Sequence, residues 1–288
     1  MNGRHFRQMH GEGTEPGLPS PPLTARATLV VPMKIVSFNV NSIRARKDRL
    51  LSWLGRNQPD VMCLQELKVE EKDMPVAELA QLGYSYAAAF QKTYNGVAIL
   101  SRHPVTDVAI GLDDGEDDPQ ARLVAATVNG VRCISVYVPN GQAVGSDKWA
   151  YKLRFYERLE RYLRERCDLG KPLLLAGDFN VAPDARDVHK VAEWEPTVLF
   201  HPEARAALEK MRSVGLYDTF RMLHEGAGCY SWWDYRAGGY QRDDGLRIDQ
   251  LYASASLAER LLETTIDRGE RAGEGPSDHT PCVAVFSP

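Results

Sequence analysis

From residue 34 onward the apolar positions follow two periods, and each change of period marks the end of an element. KIVSFNVN, starting at Lys34, alternates apolar and polar residues as a strand does; the segment 44 to 58 follows, its Leu50, Leu51 and Leu54 continuing from Ile43 at roughly helical spacing, and Pro59 ends that helix. DVMCLQE (60 to 66) is an apolar run closed by an acid, and this strand, helix, strand order begins an α/β layer. The pattern predicts a short helix over 74 to 82, stopped by Gly83, and a buried strand over 96 to 101. Runs at 123 to 128 and 131 to 138 flank Asn129-Gly130, a pair suited to the type I′ turn of a hairpin. Antiparallel pairing beside helix-linked strands implies a mixed sheet.

A long helix follows, capped by Ser146 or Asp147, with an apolar stripe of Trp149, Leu153, Tyr156, Leu159 and Leu163. Its Arg, Lys and Glu face reads as solvated surface with i,i+4 pairs. A shorter helix over 202 to 214 turns Ala206, Leu208 and Met211 inward, and 230 to 235, 247 to 254 and 281 to 287 read as strands. Between the helices lies LLLAGDFNVAP (173 to 183), a continuous apolar run of the kind a strand needs when both faces of its sheet are covered. Gly177 interrupts it. Asp178 and Asn180 then share one side while Phe179 points back into the core, an arrangement that fits a strand-closing Asx turn as well as a site.

Residues 1 to 32 show neither period and contain GLPSPPLTAR, which marks a disordered extension. Its apolar run at 28 to 31 is too short for a secretory signal, and Glu12, Glu15 and the prolines oppose a targeting role for Arg4, Arg7 and Arg26. Met33 is a candidate functional start. The rest, without a Gly/Ser linker or a short repeat, reads as one folded unit.

The chain has 288 residues and 43% hydrophobic content, enough for one large core, and no run approaches the roughly 18 apolar residues of a membrane span. Five scattered cysteines without a CxxC pair argue against a disulfide framework or a zinc site and suit a reducing, cytoplasmic compartment. The formal net charge of −4 supplies no general basic field, so a polyanion must be held by local cations or a bound metal.

Candidate chemistry gathers at strand ends: Asn39, Glu66, Tyr137 with Asn140, Asp178 with Asn180, Asp249, and Asp278 with His279. Singly, each has an ordinary structural use as a turn, cap or core residue. Carboxylates joined by amides, without thiolates, suit a hard cation such as Mg²⁺. A His beside acids can orient a phosphate, and a further acid can fix its tautomer. No Ser or Cys lies in a nucleophile elbow, which favours direct attack by water.

The blocks SFNVNSIRAR, LQELK, YNGVAILSR, VYVPNG, GDFNVAP, SWWDYR, GLRIDQLYAS and SDHTP occur in the order and spread of the exonuclease III type of apurinic/apyrimidinic endonuclease, within the endonuclease/exonuclease/phosphatase superfamily, which this chain resembles. The resemblance covers everything beyond the extension and makes 33 to 288 a catalytic domain. It implies a four-layered α/β sandwich, two mixed sheets face to face with helices outside. It further implies that Glu66 binds Mg²⁺, or Mn²⁺ as a substitute, with Asn39 and Asp278 close to it. Asp178 would act on the water or the leaving oxygen, Asn180 would hold the water or phosphate, His279 oriented by Asp249 would contact the phosphate, and Tyr137 and Asn140 would stabilise charge on its oxygens.

The implied reaction cuts duplex DNA on the 5′ side of an abasic site, leaving a 3′-hydroxyl, with 3′→5′ exonuclease and 3′-phosphatase or phosphodiesterase activity on blocked 3′ ends. Trp232 and Ile248 match the pocket for the bare sugar. Arg44, Arg46, Lys68, Arg236 and Arg247 adjoin matched blocks and are expected to hold DNA phosphates. The expected protein is a monomer without a membrane partner, associated with the nucleoid if bacterial. A superfamily phosphatase or nuclease acting on RNA or phosphoinositides, or a non-catalytic DNA-binding module, are the competing readings. SWWDYR, RIDQLYAS and the close of SDHTPC favour the DNA-repair branch, and the filled catalytic positions argue against a non-catalytic module.

Overall fold

The computed structural model describes residues 31–288, so the expected extension 1 to 32 lies, apart from its last two residues, outside the described residues. The chain builds β1 (Met33–Asn39), α1 (Lys47–Asn57), β2 (Val61–Gln65), α2 (Val76–Gln81), β3 (Ser85–Ala89), β4 (Val97–Ser101), β5 (Thr106–Ile110), β6 (Leu123–Val128), β7 (Val131–Tyr137), α3 (Asp147–Arg166) and β8 (Leu173–Asp178). Shorter pieces follow: α4 (Val191–Trp194), α5 (Pro202–Arg212), β9 (Leu216–Asp218), α6 (Thr219–Leu223), β10 (Trp232–Trp233), β11 (Gly245–Leu246), β12 (Asp249–Ser254), α7 (Ala255–Ala258), β13 (Leu261–Ile266) and β14 (Cys282–Phe286).

These strands form two six-stranded sheets, ordered β13-β14-β1-β2-β4-β3 and β5-β6-β7-β8-β12-β9, and β10 pairs with β11 as a small ribbon. Both sheets are mixed, since β1 and β2, and likewise β7 and β8, run parallel beside antiparallel neighbours. Strand periodicity explains the layers. Ile35, Cys63 and Ile99 of the first sheet meet Val124, Cys133, Leu174 and Leu251 of the second. The alternate residues Val36, Met62 and Leu64 pack with Leu50, Trp53 and Leu54 of α1, and Ile134, Leu173 and Leu175 with Leu159 and Leu163 of α3 and Leu208 of α5. The result is the expected four-layered sandwich.

Local signals operate as predicted at several points. Ser146 caps α3, its hydroxyl accepting from the Trp149 amide at 3.2 Å. Asn129 and Gly130 take φ of 47° and 78°, as a type I′ turn between β6 and β7 requires. Tertiary contacts correct others. The charged face of α3 is not wholly solvated: Arg158 is buried against Asp114 and Asp118 at 2.7 and 2.6 Å, because the acidic loop before β6 folds over the helix, and Lys152 is fully enclosed. In α5 the buried positions are Ala204, Leu208 and Met211, at i, i+4 and i+7, and Ala206 faces out. The strand expected over 230 to 235 contracts to Trp232–Trp233, which pair with Leu246 and Gly245 of β11.

Candidate active site

On the inner faces of the two sheets the inward positions are apolar at depth and turn polar toward one rim, first at the fully buried Ser37, Gln65 and Ser135, where Gln65 bridges the two serines, and then at the rim itself. β1 ends inward with Asn39 after Ile35, β7 with Tyr137 after Cys133, and β8 with Asp178 after Leu174 and Ala176; antiparallel β12 begins with Asp249 before Leu251. Register then sets the neighbours, with Tyr137 beside Asp178 and Asp178 beside Asp249. The approach of β7 and β8 requires Gly177, because a Cβ there would overlap the Val136 carbonyl oxygen.

The first sheet supplies the opposing side. Glu66 leaves β2 at φ 53°, and Asn39 Nδ2 donates both to Glu66 Oε1 at 2.8 Å and to Asp178 Oδ2 at 2.9 Å. One amide therefore spaces two carboxylates from different sheets. The second oxygen of Asp178 accepts the Asn180 N–H at 2.8 Å, so the Asx turn and the site are one structure. Asn180 in turn accepts from Asn140 Nδ2 at 3.0 Å and donates to the Val138 carbonyl. His279 places Nδ1 2.8 Å from Asp249 Oδ2, which also accepts the Ser231 hydroxyl at 2.6 Å, and leaves Nε2 3.7 Å from Asp178 Oδ2.

Charge follows from this geometry. Burial resists a charged His279 ring, but Asp249 and Asp178 together outweigh it and raise the imidazole to about 10. Burial, with Asp249 and Glu66 adding like charge, pushes Asp178 up to about 7 against the pull of His279. Burial pushes the Tyr137 phenol well above its ordinary value, helped by Glu66 and Asp178, so it stays a proton donor. Burial also opposes charge on Glu66, but Lys68 and the Asn39 amide hold it below the usual carboxylate value.

Glu66, Asp178 and His279 bring one ligand atom each within 4.8 Å of one another. His279 Nδ1 is already taken by Asp249, and the two carboxylates supply oxygens, the donors a hard cation takes. Lys68 supports that fit: its ammonium lies 2.6 Å from Glu66 Oε2, occupying the place of a positive charge. Of the residues expected around the metal, Glu66 stands in this group. Asn39 aims its NH₂ at the carboxylates, while its oxygen accepts the Asn41 amide. Asp278 lies one step away, accepting from Asn41 Nδ2 at 2.8 Å and Trp232 Nε1 at 3.1 Å.

The expected DNA contacts divide. Arg44 and Arg236 are exposed, and Arg236 forks onto Asp234. Arg46 is held by the Asn41 carbonyl and the Tyr235 hydroxyl, and Lys68 turns inward to Glu66 and Asn41. Arg247 is a correction: it is fully buried between Asp187 and Asp218, at 2.6 and 2.7 Å, and has no surface for a phosphate. The pocket also changes. Trp232 is partly exposed and meets Trp194 edge to face at 5.7 Å, whereas Ile248 is 1% exposed and lies behind the wall. Asn41, Ser231 and Trp194 were not singled out from the sequence. Asn41 and Ser231 stand inside SFNVNSIRAR and SWWDYR, so the motifs contained them, but Trp194 comes from a segment without a period.

Comparison with known proteins identifies the family and the fold. The sequence pattern of the endonuclease/exonuclease/phosphatase family matches residues 36–279. Exodeoxyribonuclease III of Haemophilus influenzae is 35% identical over 266 residues, spanning 88% of this chain and all of that protein. An AP endonuclease from Archaeoglobus fulgidus superposes with a TM-score of 0.85 at 41% identity, covering 88% of this chain and 99% of the other. A 3′ phosphatase from Neisseria, solved with a product DNA hairpin, gives 0.84 at 41% identity over 88% of this chain and 99% of its own.

Proposed function

The chain belongs to the endonuclease/exonuclease/phosphatase family, in its exonuclease III branch, and from that premise we propose that it is a DNA-repair hydrolase. It cuts the phosphodiester 5′ to abasic sites in duplex DNA, leaves a 3′-hydroxyl, and clears blocked 3′ ends as exonuclease and 3′-phosphatase. The observation that carries this reading is the rim where Asp178, spaced from Glu66 by Asn39, faces a His279 charged by Asp249.

Hydrolysis of a phosphodiester anion needs a deprotonated water, compensation of charge on the nonbridging oxygens, and help for the leaving alkoxide. Asp178, raised to about 7, is a base poised near neutral pH, with both oxygens oriented by Asn39 and Asn180. It takes the proton of the attacking water. His279 Nε2–H and the Tyr137 hydroxyl, both kept protonated, donate to the phosphoryl oxygens where charge accumulates. Asn140 acts through its hydrogen bond to Asn180. Bound at Glu66, Mg²⁺ would neutralise added phosphoryl charge and stabilise the departing alkoxide. Arg44 and Arg236 are exposed for backbone contacts, and Trp232 offers a flat wall to the extruded sugar.

The test is incubation with abasic, nicked 3′-phosphate and intact duplexes, with and without EDTA. Nicking 5′ to the abasic residue and release of phosphate, both abolished by chelation, are expected. Glu66→Gln should lose most activity at low Mg²⁺, because a neutral amide holds a hard cation poorly. Wild-type rates for that variant, or EDTA-resistant cleavage, would remove the metal assignment. Turnover of RNA or phosphoinositides alone would move the protein out of DNA repair.

A further inference from the structure

Lys152 lies on α3 with its side chain fully enclosed, and among the described residues it forms no ion pair. Its ammonium donates instead to three backbone carbonyls, Asn140 at 3.1 Å, Asn180 at 2.7 Å and Val198 at 2.6 Å. An ammonium has three N–H donors, so each is used. Two of the three acceptors belong to the amide residues of the rim. Their side chains are already joined on the site face by the Asn140 to Asn180 hydrogen bond at 3.0 Å. The same two loops are thus tied in front through their amides and behind through one cation.

Both loops need such restraint. Asn180 stands at φ 52°, a left-handed conformation that costs energy in a residue with a Cβ, and its N–H orients Asp178. Gly141, at φ 92°, closes directly on the lysine stem: a Cβ there would come within 3.0 Å of Lys152 Cδ. Burial pulls the ammonium down to about 7, with the charge of Asp178 opposing. A buried cation without a carboxylate is an expensive way to fill a core, since an apolar side chain of the same length would pack there without desolvating a charge. Its geometry has a use in the reaction.

We propose that Lys152 is a positioning residue for phosphodiester hydrolysis, fixing the Asn140 and Asn180 loops against each other and, through the Asn180 amide, the aim of Asp178. The proposal rests on the hydrolase reading but adds a residue that touches neither substrate nor metal. Its consequence is kinetic. Duplex binding depends on surface cations and the aromatic wall, so loosening these loops should lower turnover and leave binding nearly intact.

The experiment compares wild type, Lys152→Met and Lys152→Gln on whichever phosphoester the wild type turns over, so that a wrong substrate assignment is seen in the wild type alone. Folding is followed by circular dichroism and thermal melting. Lys152→Met should lower kcat by roughly 10- to 100-fold with KM within about threefold, as expected when a catalytic group drifts by about an ångström. Lys152→Gln, which retains two donors, should recover some of the loss. On an Asp178→Asn background, Lys152→Met should add little, because the lysine is proposed to act by aiming that carboxylate. Unchanged kcat in a folded variant, losses that multiply on that background, or a loss confined to KM would each overturn the proposal. Collapse of both variants would assign Lys152 to the fold and overturn it as well.

Discussion

At the scale of single residues, the rim sets neighbouring groups to opposite tasks through burial and charge. His279 is held as a cation by Asp249 and Asp178 despite burial, with its ionisation raised from 6.5 to about 10. For a base shifted this way, the stabilisation is complete below the unfolded value and fades as pH rises through the folded one. We therefore predict, in EDTA, that the melting-temperature gap between wild type and His279→Gln is widest near pH 6 and closes toward about pH 10. A gap independent of pH would deny the charged ring. Asp249→Asn placed on His279→Gln should add almost no further loss of kcat, since an acid that orients an imidazole has little to do once the ring is gone. The sequence supplied both residues of this pair but not the hydroxyl that completes it. Ser231 became visible as a partner of Asp249 only when its hairpin was brought to the start of β12.

At the scale of elements, the strands read correctly from the sequence are those of the sheet interiors. Within the two six-stranded sheets the four left unread, β3, β5, β9 and β13, are the four edge strands, and β11 of the small ribbon was also unread. An edge strand packs on fewer neighbours and tolerates exposed or small residues, so SYAAA, TDVAI and LLETTI lack the apolar regularity of LLLAGD. The interior pair β7 and β8 carries a sharper requirement at Gly177. Gly177→Ala should destabilise the protein by about 3 kcal/mol or more, because the new methyl group must push adjacent central strands away from each other. Urea denaturation measures this, and wild-type stability would mean that the strands separate at little cost. The β10–β11 ribbon presents Trp232 to the rim. Trp232→Ala should weaken cleavage of abasic duplex and narrow the preference over undamaged duplex, because an open pocket no longer excludes a base. Equal loss on both substrates in a folded variant would return Trp232 to a packing role.

At the scale of the whole molecule, two sheets from distant regions of the chain must meet in one register for Glu66 and Asp178 to share Asn39. Arg247 helps to hold that arrangement: with Asp187, Asp218 and Arg221 it ties the loop after β8 to the start of β12 and to α6. Arg247→Met leaves two buried carboxylates short of a partner and should cost roughly 3–5 kcal/mol of stability. In the folded variant, the salt dependence of DNA binding should be unchanged. A shallower salt slope with normal stability would instead make Arg247 a phosphate contact after all.

The residue types of the site, and their positions at strand ends, were determined by the sequence alone. Period-2 alternation places Asn39, Tyr137, Asp178 and Asp249 on inner faces, and the apolar runs behind them indicate a sheet covered on both sides. The order of the motifs was sufficient to identify the branch of the family. Which residues bear charge, and toward what, was decided only by tertiary structure. Arg247 and Lys152 look like surface cations in a string of letters, yet one is enclosed by two acids and the other by three carbonyls from separate loops. Alternation along a strand is a local property of the backbone. Desolvation and charge pairing depend on neighbours up to hundreds of residues away, and those neighbours exist only once the two sheets have packed.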